Sequence, residues 1–199
     1  MNTGMNQDLL QPINNLDQLG KGLIIGNRIP KDYFITKGKG ESNIAIHAGS
    51  YHLALKDAGI EMGNIMTYSS ILPGISQEIA KPEHMIHGAV MESIMAVGTC
   101  NKGERVSAGI IFGMLYDKKT GEKYGGLVCE NQGSFPVEEI EKNLMASLDE
   151  LYTNGFDEQF DMRDIRVISD TLVPKKQYGT VLIALCFTNY FYPVISANL

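Results

Sequence analysis

The chain of 199 residues has no tryptophan and only three cysteines, Cys100, Cys129 and Cys186. These cysteines are far apart, form no CxxC pair and match no zinc spacing, so the sequence favours free thiols in a cytoplasmic protein. It also lacks any run of about 18 apolar residues, and we therefore expect no transmembrane helix. The N-terminus lacks the order of basic, apolar and small residues that marks a signal peptide.

Clusters of basic residues and sets of metal ligands are missing as well. The formal net charge is −6 and the lysines form only short pairs, so we expect no nucleic-acid partner. Four histidines are present, but no carboxylate or cysteine completes a recognisable ligand set with them, and we expect no metal site. The hydrophobic content of 44% is sufficient for one core of ordinary size.

The hydrophobic pattern predicts more strands than helices. Helices are predicted over 44–58, where Gly59 provides a stop, and from Pro136 to about Asn154. Residues 37–42 are predicted to form a glycine-bearing loop and residues 74–86 a loop or short helix. Strands are predicted over 32–36, 64–70, 88–99, 105–116, 124–131, 164–172 and 179–189. Because few helices alternate with the strands, an α+β layered sandwich is favoured over a parallel doubly wound sheet.

The domain organisation follows from composition. Residues 1–20 are rich in Asn, Gln and Asp and are predicted to form a loosely held N-terminal arm. Residues 21–199 are predicted to form a single domain, because a chain of 199 residues fits one domain of ordinary size with a tail, and no repeat or low-complexity segment is evident.

Two adjacent serines, Ser69 and Ser70, follow an apolar run that begins at Asn64 and is stopped by Pro73. A hydroxyl next to its own preceding carbonyl can attack that carbonyl if the backbone is strained and the oxyanion is stabilised. Alternate residues of a strand point to one face, so Asn64 would share a face with Ser70 and its amide would help to hold the reacting groups. On its local sequence alone, Asn64 equally fits a turn or the start of a strand.

Glu130 lies in an apolar predicted strand. Burial would raise the pKa of its carboxyl group and keep it protonated, which would make it a competent general acid. The alternative is a glutamate at a strand end that faces water, as most charged residues do.

Five short motifs lie in order along the chain: Gly40-Glu41-Ser42, Ala58-Gly59-Ile60, Asn64 with Ser69-Ser70-Ile71-Leu72-Pro73, His87-Gly88-Ala89-Val90, and Gly125-Gly126-Leu127-Val128-Cys129-Glu130. In order and spacing they resemble the pyruvoyl-dependent arginine decarboxylase family. The resemblance implies a four-layer αββα sandwich and self-cleavage between Ser69 and Ser70 into a β chain (1–69) and an α chain (70–199).

The resemblance also implies the chemistry. Ser70 would become a covalent pyruvoyl cofactor that forms a Schiff base with L-arginine, which is converted to agmatine and CO2. Glu130 would protonate the product carbanion, and Asn64 would assist at the cleavage site. The subunits would assemble as a homotrimer or a dimer of trimers, with active sites between neighbouring subunits. Polyamine metabolism and acid resistance are both compatible with this reaction.

One residue departs from the family pattern. Where arginine-specific members carry an aspartate that binds the guanidinium group, this chain has His52. An imidazole cannot replace a bidentate carboxylate–guanidinium pair, so Glu41 or Asp57 would have to serve as the substrate-binding carboxylate. Two alternatives stay open: a decarboxylase for another amino acid such as histidine, and an unprocessed, non-catalytic homologue that acts as a trimeric scaffold.

Overall fold

The computed structural model describes residues 24–196, and the predicted arm over 1–20 lies outside them. The chain divides into two compact units. The larger unit comprises residues 30–190, and the described part of the smaller one comprises residues 24–29 and 191–196. The single domain over 21–199 stays a prediction.

Strands dominate the described part of the chain. They are β1 (Ile24–Ile25), β2 (Ile29–Pro30), β3 (Asp32–Ser42), β4 (Asn64–Thr67), β5 (Ile71–Pro73), β6 (Gln77–Glu78), β7 (Val90–Asn101), β8 (Val106–Asp117), β9 (Lys123–Gly133), β10 (Phe160–Leu172), β11 (Tyr178–Phe187), β12 (Tyr190–Phe191) and β13 (Val194–Ser196). The helical elements are a π-helical segment (Ile46–Tyr51), α1 (His52–Ala58) and α2 (Val137–Thr153). This composition confirms the predicted α+β class.

Two sheets form the larger unit. A five-stranded sheet has the order β4-β7-β11-β3-β6, and a four-stranded sheet has the order β10-β8-β9-β5. The apolar strand β11 is central, as its sequence predicts, and pairs antiparallel with both β3 and β7. In the smaller unit, β1 pairs antiparallel with β13.

Three clusters of buried apolar side chains hold the larger unit together. The first lies between the two sheets and includes Ile94, Ile110 and Ile183. The second packs α1 against the five-stranded sheet, and the third packs α2 against the four-stranded sheet. The α2 side chains in the third cluster are Ile140, Leu144 and Leu148, spaced as a single helix face requires.

The predicted loop over 37–42 is wrong, because β3 continues through it. Gly38 and Gly40 allow the helical segment to approach the strand closely: a Cβ atom at Gly40 would lie 2.1 Å from the Ser50 carbonyl oxygen. The glycines therefore mark a contact between a helix and a strand, and not a turn. The predicted stop at Gly59 is confirmed, since this residue is left-handed with φ of 70°.

The other boundaries differ from the predictions by smaller amounts. The predicted helix over 44–58 begins at Ile46, and its first turn is π-helical. Strand β10 begins four residues earlier than predicted, at Phe160, and contains an irregularity between Arg163 and Arg166. Within the described residues, 74–86 contain the short strand β6 and no helix, and no helix is long and apolar enough to cross a membrane.

Candidate active site

The two serines lie where the chain passes from one sheet to the other. The Tyr68 N–H donates to the Ser93 carbonyl at 2.8 Å, which is the last contact of this segment with the five-stranded sheet. Two residues later the Ser70 carbonyl accepts the Val128 N–H of the four-stranded sheet at 3.0 Å. The predicted continuous strand over 64–70 is therefore wrong: β4 ends at the crossing, and β5 begins after it.

Ser70 and Glu130 are in direct contact. The Ser70 hydroxyl donates to Glu130 Oε2 at 3.2 Å, and Oε1 lies at 3.4 Å. Antiparallel pairing of β5 with β9, which places Ile71 opposite Leu127, brings the two residues together across 60 positions of sequence. Ser70 is partly buried whereas Ser69 is exposed, so it is the second serine of the pair that faces the carboxyl group.

Burial raises the pKa of the Glu130 carboxyl group, and the hydrogen bond from Ser70 partly opposes that shift. The direction predicted from the sequence is therefore confirmed. A raised pKa favours the protonated carboxyl group, which is the form that donates a proton. The neighbouring Cys129 thiol also has a raised pKa, first because of burial and second because of Glu130.

Asn64 is the first residue of β4 and is exposed. Its side-chain amide donates to the Gly88 carbonyl at 2.8 Å, and its backbone N–H donates to the Ala89 carbonyl at the same distance. Because the strand is interrupted after Thr67, alternation along one strand no longer relates Asn64 to Ser70. The observed contacts instead tie the start of β4 to the segment that precedes β7.

The two proposed substrate carboxylates lie beside one cavity. Glu41 and Asp57 both line a cavity of about 640 Å³ on the larger unit, together with Lys39, Lys56 and Lys176. His52, the first residue of α1, is exposed and is not among the residues that line the cavity. Neither Ser70 nor Glu130 lines it. Within one subunit, the structure thus brings Glu41 and Asp57 together but not with the serine–glutamate pair.

Backbone donors already occupy both carboxylates. Glu41 accepts the N–H groups of Lys176 and Lys175 at 3.0 and 2.5 Å, and hydrogen bonding from the Lys176 backbone is the largest cause of its lowered pKa. Asp57 accepts the Lys39 N–H at 2.9 Å. Since no strand pairs with β3 beyond Tyr33 on that side in the described structure, Asp57 satisfies a donor on a free strand edge.

Two backbone contacts at the site escape prediction from the sequence. The Val128 N–H holds the Ser70 carbonyl, and the Ile71 N–H donates to the Ser69 carbonyl at 3.0 Å. Neither has a side-chain signature, because every residue except proline offers the same N–H group. Only the pairing of β5 with β9 could have revealed the first of them.

Comparisons with known proteins identify the family of this chain. Residues 32–191 match the family model described as pyruvoyl-dependent arginine decarboxylase. Among curated relatives with that name, the protein of Methanococcoides burtonii is 37% identical over 86 residues, which cover 42% of this chain and 47% of that protein. The protein of Picrophilus torridus is 27% identical over 148 residues, which cover 70% of this chain and 78% of that protein.

A further relative, from Chlorobaculum parvum, is named a probable pyruvoyl-dependent arginine decarboxylase and is 29% identical over 131 residues, or 60% of this chain and 69% of that protein. The match to the first of the three relatives thus spans about half of that protein's length. The family model, in contrast, covers most of this chain and both members of the serine–glutamate pair. The chain therefore belongs to the pyruvoyl-dependent arginine decarboxylase family.

Proposed function

We propose that this protein is a pyruvoyl-dependent amino-acid decarboxylase that converts L-arginine to agmatine and CO2, with its cofactor made from Ser70. The observation that carries the proposal is the contact between the Ser70 hydroxyl and Glu130 Oε2 at 3.2 Å. It combines a serine at a sheet crossing with a carboxyl group whose pKa is raised by burial. Family membership and the names of the relatives support the same reaction.

The residues around Ser70 suit a pyruvoyl group. Such a group supplies a ketone that binds the substrate amine and an adjacent carbonyl that accepts electrons when CO2 leaves. The Ser70 carbonyl, which would be that adjacent carbonyl, already accepts the Val128 N–H at 3.0 Å. The Glu130 carboxyl group contacts Ser70 Oγ, which is bonded to the Cβ atom from which the ketone's methyl group would be made.

Glu130 is proposed as the general acid. Because burial raises its pKa, it holds a proton over a wider pH range than an exposed glutamate. Its place next to Ser70 would let it deliver that proton to the carbon that loses CO2. Asn64 is proposed as a positioning residue, because its hydrogen bond to Gly88 fixes the strand that leads to the cleavage point.

We propose cleavage between Ser69 and Ser70, which would give a β chain (1–69) and an α chain (70–199). The strands on either side support this division. Strand β4 and Tyr68 are bonded to the five-stranded sheet, and Ser70 and strand β5 are bonded to the four-stranded sheet. Breaking the bond between them would leave each new chain end held by its own sheet.

The proposed fold of one subunit is a four-layer αββα sandwich that forms a single domain over 21–199. The proposed assembly of these subunits is a homotrimer or a dimer of trimers. Three clusters of apolar contacts, between α1 and one sheet, between the sheets, and between the other sheet and α2, support the layering. Exposed apolar side chains flank the cleavage point at Met66 and Ile71, which are 53% and 56% exposed. They support a contact with a second subunit beside Ser70, and residues of that subunit would complete the active site.

One feature of the cavity lined by Glu41 and Asp57 favours a substrate other than arginine. Both carboxylates accept backbone N–H groups, and three lysines line the same cavity. A cationic guanidinium gains less there than it would from a free carboxylate pair. Decarboxylation of another amino acid, such as histidine, is therefore the second candidate, with His52, Glu41 and Asp57 as the residues that would discriminate between substrates.

Release of CO2 from arginine, histidine, lysine and ornithine tests the reaction. The proposal expects release with arginine and equimolar agmatine. Release only with another amino acid would retain the decarboxylase and reject arginine as its substrate. No release with any of them from fully cleaved protein would contradict the proposed activity, whereas a chain that stays uncleaved and releases no CO2 would favour the unprocessed, non-catalytic scaffold.

A further inference from the structure

We propose that the backbone N–H of Ile71 is the oxyanion donor for self-cleavage of the Ser69–Ser70 bond, an inference that rests on the proposed cleavage at Ser70. In this structure the Ile71 N–H donates to the Ser69 carbonyl oxygen at 3.0 Å. A hydrogen bond between residues two apart closes a three-residue turn, and Ser70 is its central residue. The peptide bond to be broken lies inside this turn.

The first step of cleavage places negative charge on the oxygen that Ile71 contacts. Ser70 Oγ forms a bond to the Ser69 carbonyl carbon, and the carbonyl electron pair moves onto oxygen. The carbon–nitrogen bond then breaks, the carbonyl re-forms, and the hydroxyl proton ends on the departing nitrogen. An ester between Ser69 and the Ser70 side chain and a free amine result, with no oxidant or co-reactant. A donor about 2.7–3.1 Å from the developing oxyanion is the arrangement that stabilises such a transition state.

Two hydrogen bonds hold the turn in place from opposite sides. The Tyr68 N–H is bonded to Ser93 of one sheet, and the Ser70 carbonyl is bonded to Val128 of the other. The Ser69 carbonyl therefore lies between two fixed points only two residues apart, and the Ile71 N–H belongs to the same peptide group as the fixed Ser70 carbonyl. A donor held in this way needs little reorganisation as charge develops, which is the condition under which electrostatic stabilisation is most effective.

Other donors are engaged elsewhere. The amide of Asn64 donates to the Gly88 carbonyl at 2.8 Å. The Ser70 hydroxyl donates to the Glu130 carboxyl group at 3.2 Å. The Ile71 side chain is 56% exposed, so the residue contributes to this turn through its backbone. Position 71 would thus tolerate changes of side chain but not loss of its N–H group.

Replacing the N–H of residue 71 with oxygen tests this role. Cell-free translation with the α-hydroxy acid analogue of isoleucine would change the peptide bond between residues 70 and 71 into an ester and keep the side chain. The matched control places the same analogue at Ile75, another exposed isoleucine in the turn after β5. We expect the position 71 ester to slow cleavage by on the order of 10²–10³-fold, the usual effect of losing one oxyanion donor, and the control to cleave at the normal rate.

Cleavage of the position 71 ester at the rate of the control would overturn the inference while leaving the proposed function intact. An unmodified chain that never cleaves would instead contradict the proposed function itself. If circular dichroism shows that the chain with the ester does not fold, amide hydrogen exchange in the uncleaved Ser70→Ala protein provides the test instead. There the Ile71 N–H should exchange more slowly than the Ile75 N–H, and equal exchange would overturn the hydrogen bond on which the inference depends.

Discussion

Two groups of carboxylates in this molecule have opposite electrostatic surroundings. Glu130 is partly buried beside a hydroxyl, and burial raises its pKa. Glu41 is close to solvent and accepts two backbone N–H groups, which lower its pKa. Both glutamates lie on strands, so secondary structure does not distinguish them. The balance between burial and hydrogen bonding to the charged form decides which of them holds a proton.

The same contrast separates a chemical role from a structural one. A protonated Glu130 beside Ser70 can donate a proton, whereas Glu41 and Asp57 accept N–H groups of their own chain. Asp57 accepts an N–H group at the edge of β3, and Glu41 accepts two N–H groups from the segment that precedes β11.

The largest effect is expected for Ser70→Ala. Without the hydroxyl group no attack on the Ser69 carbonyl can occur, so the chain should stay intact and release no CO2. Ser69→Ala is the matched control, because the exposed Ser69 hydroxyl does not contact Glu130. Denaturing mass spectrometry checks both variants. Cleavage of the Ser70→Ala chain would contradict the assignment of the cofactor precursor.

The second largest loss of activity is expected for Glu130→Gln. The variant should still be cleaved into two chains, but its turnover should fall by about 10²–10⁴-fold, the usual contribution of a general acid. Glu78→Gln is the control for removing a carboxylate from a strand, because Glu78 binds Arg166 and has no proposed role in catalysis or substrate binding, and its turnover should change far less. Equal losses in the two variants, measured as kcat on cleaved protein, would remove the distinction between them.

Gly40→Ala tests the packing beside Glu41. A Cβ atom at this position would lie 2.1 Å from the Ser50 carbonyl oxygen and 2.5 Å from the Ala54 nitrogen. We expect a loss of about 1–3 kcal/mol in the free energy of unfolding, as for other overpacked sites. Gly155→Ala is the control, because nothing lies within 4 Å of an added Cβ there. Denaturant unfolding of both variants measures the difference, and equal stabilities would contradict the close approach.

The smallest effects should appear in the pH dependence of stability, with opposite signs for the two glutamates. The raised pKa of Glu130 gives stability that is fully present below its unfolded-state pKa and is lost as pH rises through its folded-state pKa. The lowered pKa of Glu41 gives stability that is present above its unfolded-state pKa and is lost as pH falls through its folded-state pKa. The difference in thermal stability between the wild-type protein and each of Glu130→Gln and Glu41→Gln, measured across pH, should show these opposite trends. The same sign for both would contradict the account.

Catalysis should follow the protonation of Glu130. Because the general acid is active in its protonated form, kcat of cleaved protein should fall as pH rises past the raised pKa of this carboxyl group. The fall should be absent from the residual activity of Glu130→Gln. A fall that persists unchanged in this variant would assign the titration to another group.

The sequence predicted the parts of this fold that depend on local pattern. The strands β7, β8, β9 and β11 and the apolar face of α2 lie close to their predicted bounds, because alternation and helical periodicity are local signals. The raised pKa of Glu130 was also predictable, since its neighbours on the strand are apolar.

Features that depend on distant contacts were not predictable in this way. Gly38 and Gly40 suggested a loop, although the helical residues that pack against them 10 to 20 positions later in the chain require their lack of side chains. The break at Ser69 and Ser70 reflects a change of sheet, which the alternation of residues 64–70 does not record. The hydrogen bonds of Glu41 and Asp57 likewise come from residues 18 to 135 positions away.

The central claim is that Ser70, in contact with Glu130, is the precursor of the cofactor. The intact mass of the purified protein under denaturing conditions tests it most directly. The account predicts two chains, residues 1–69 and a chain from position 70 that is lighter by one ammonia than the same chain beginning with serine. A single full-length mass that is unchanged after long incubation would contradict it.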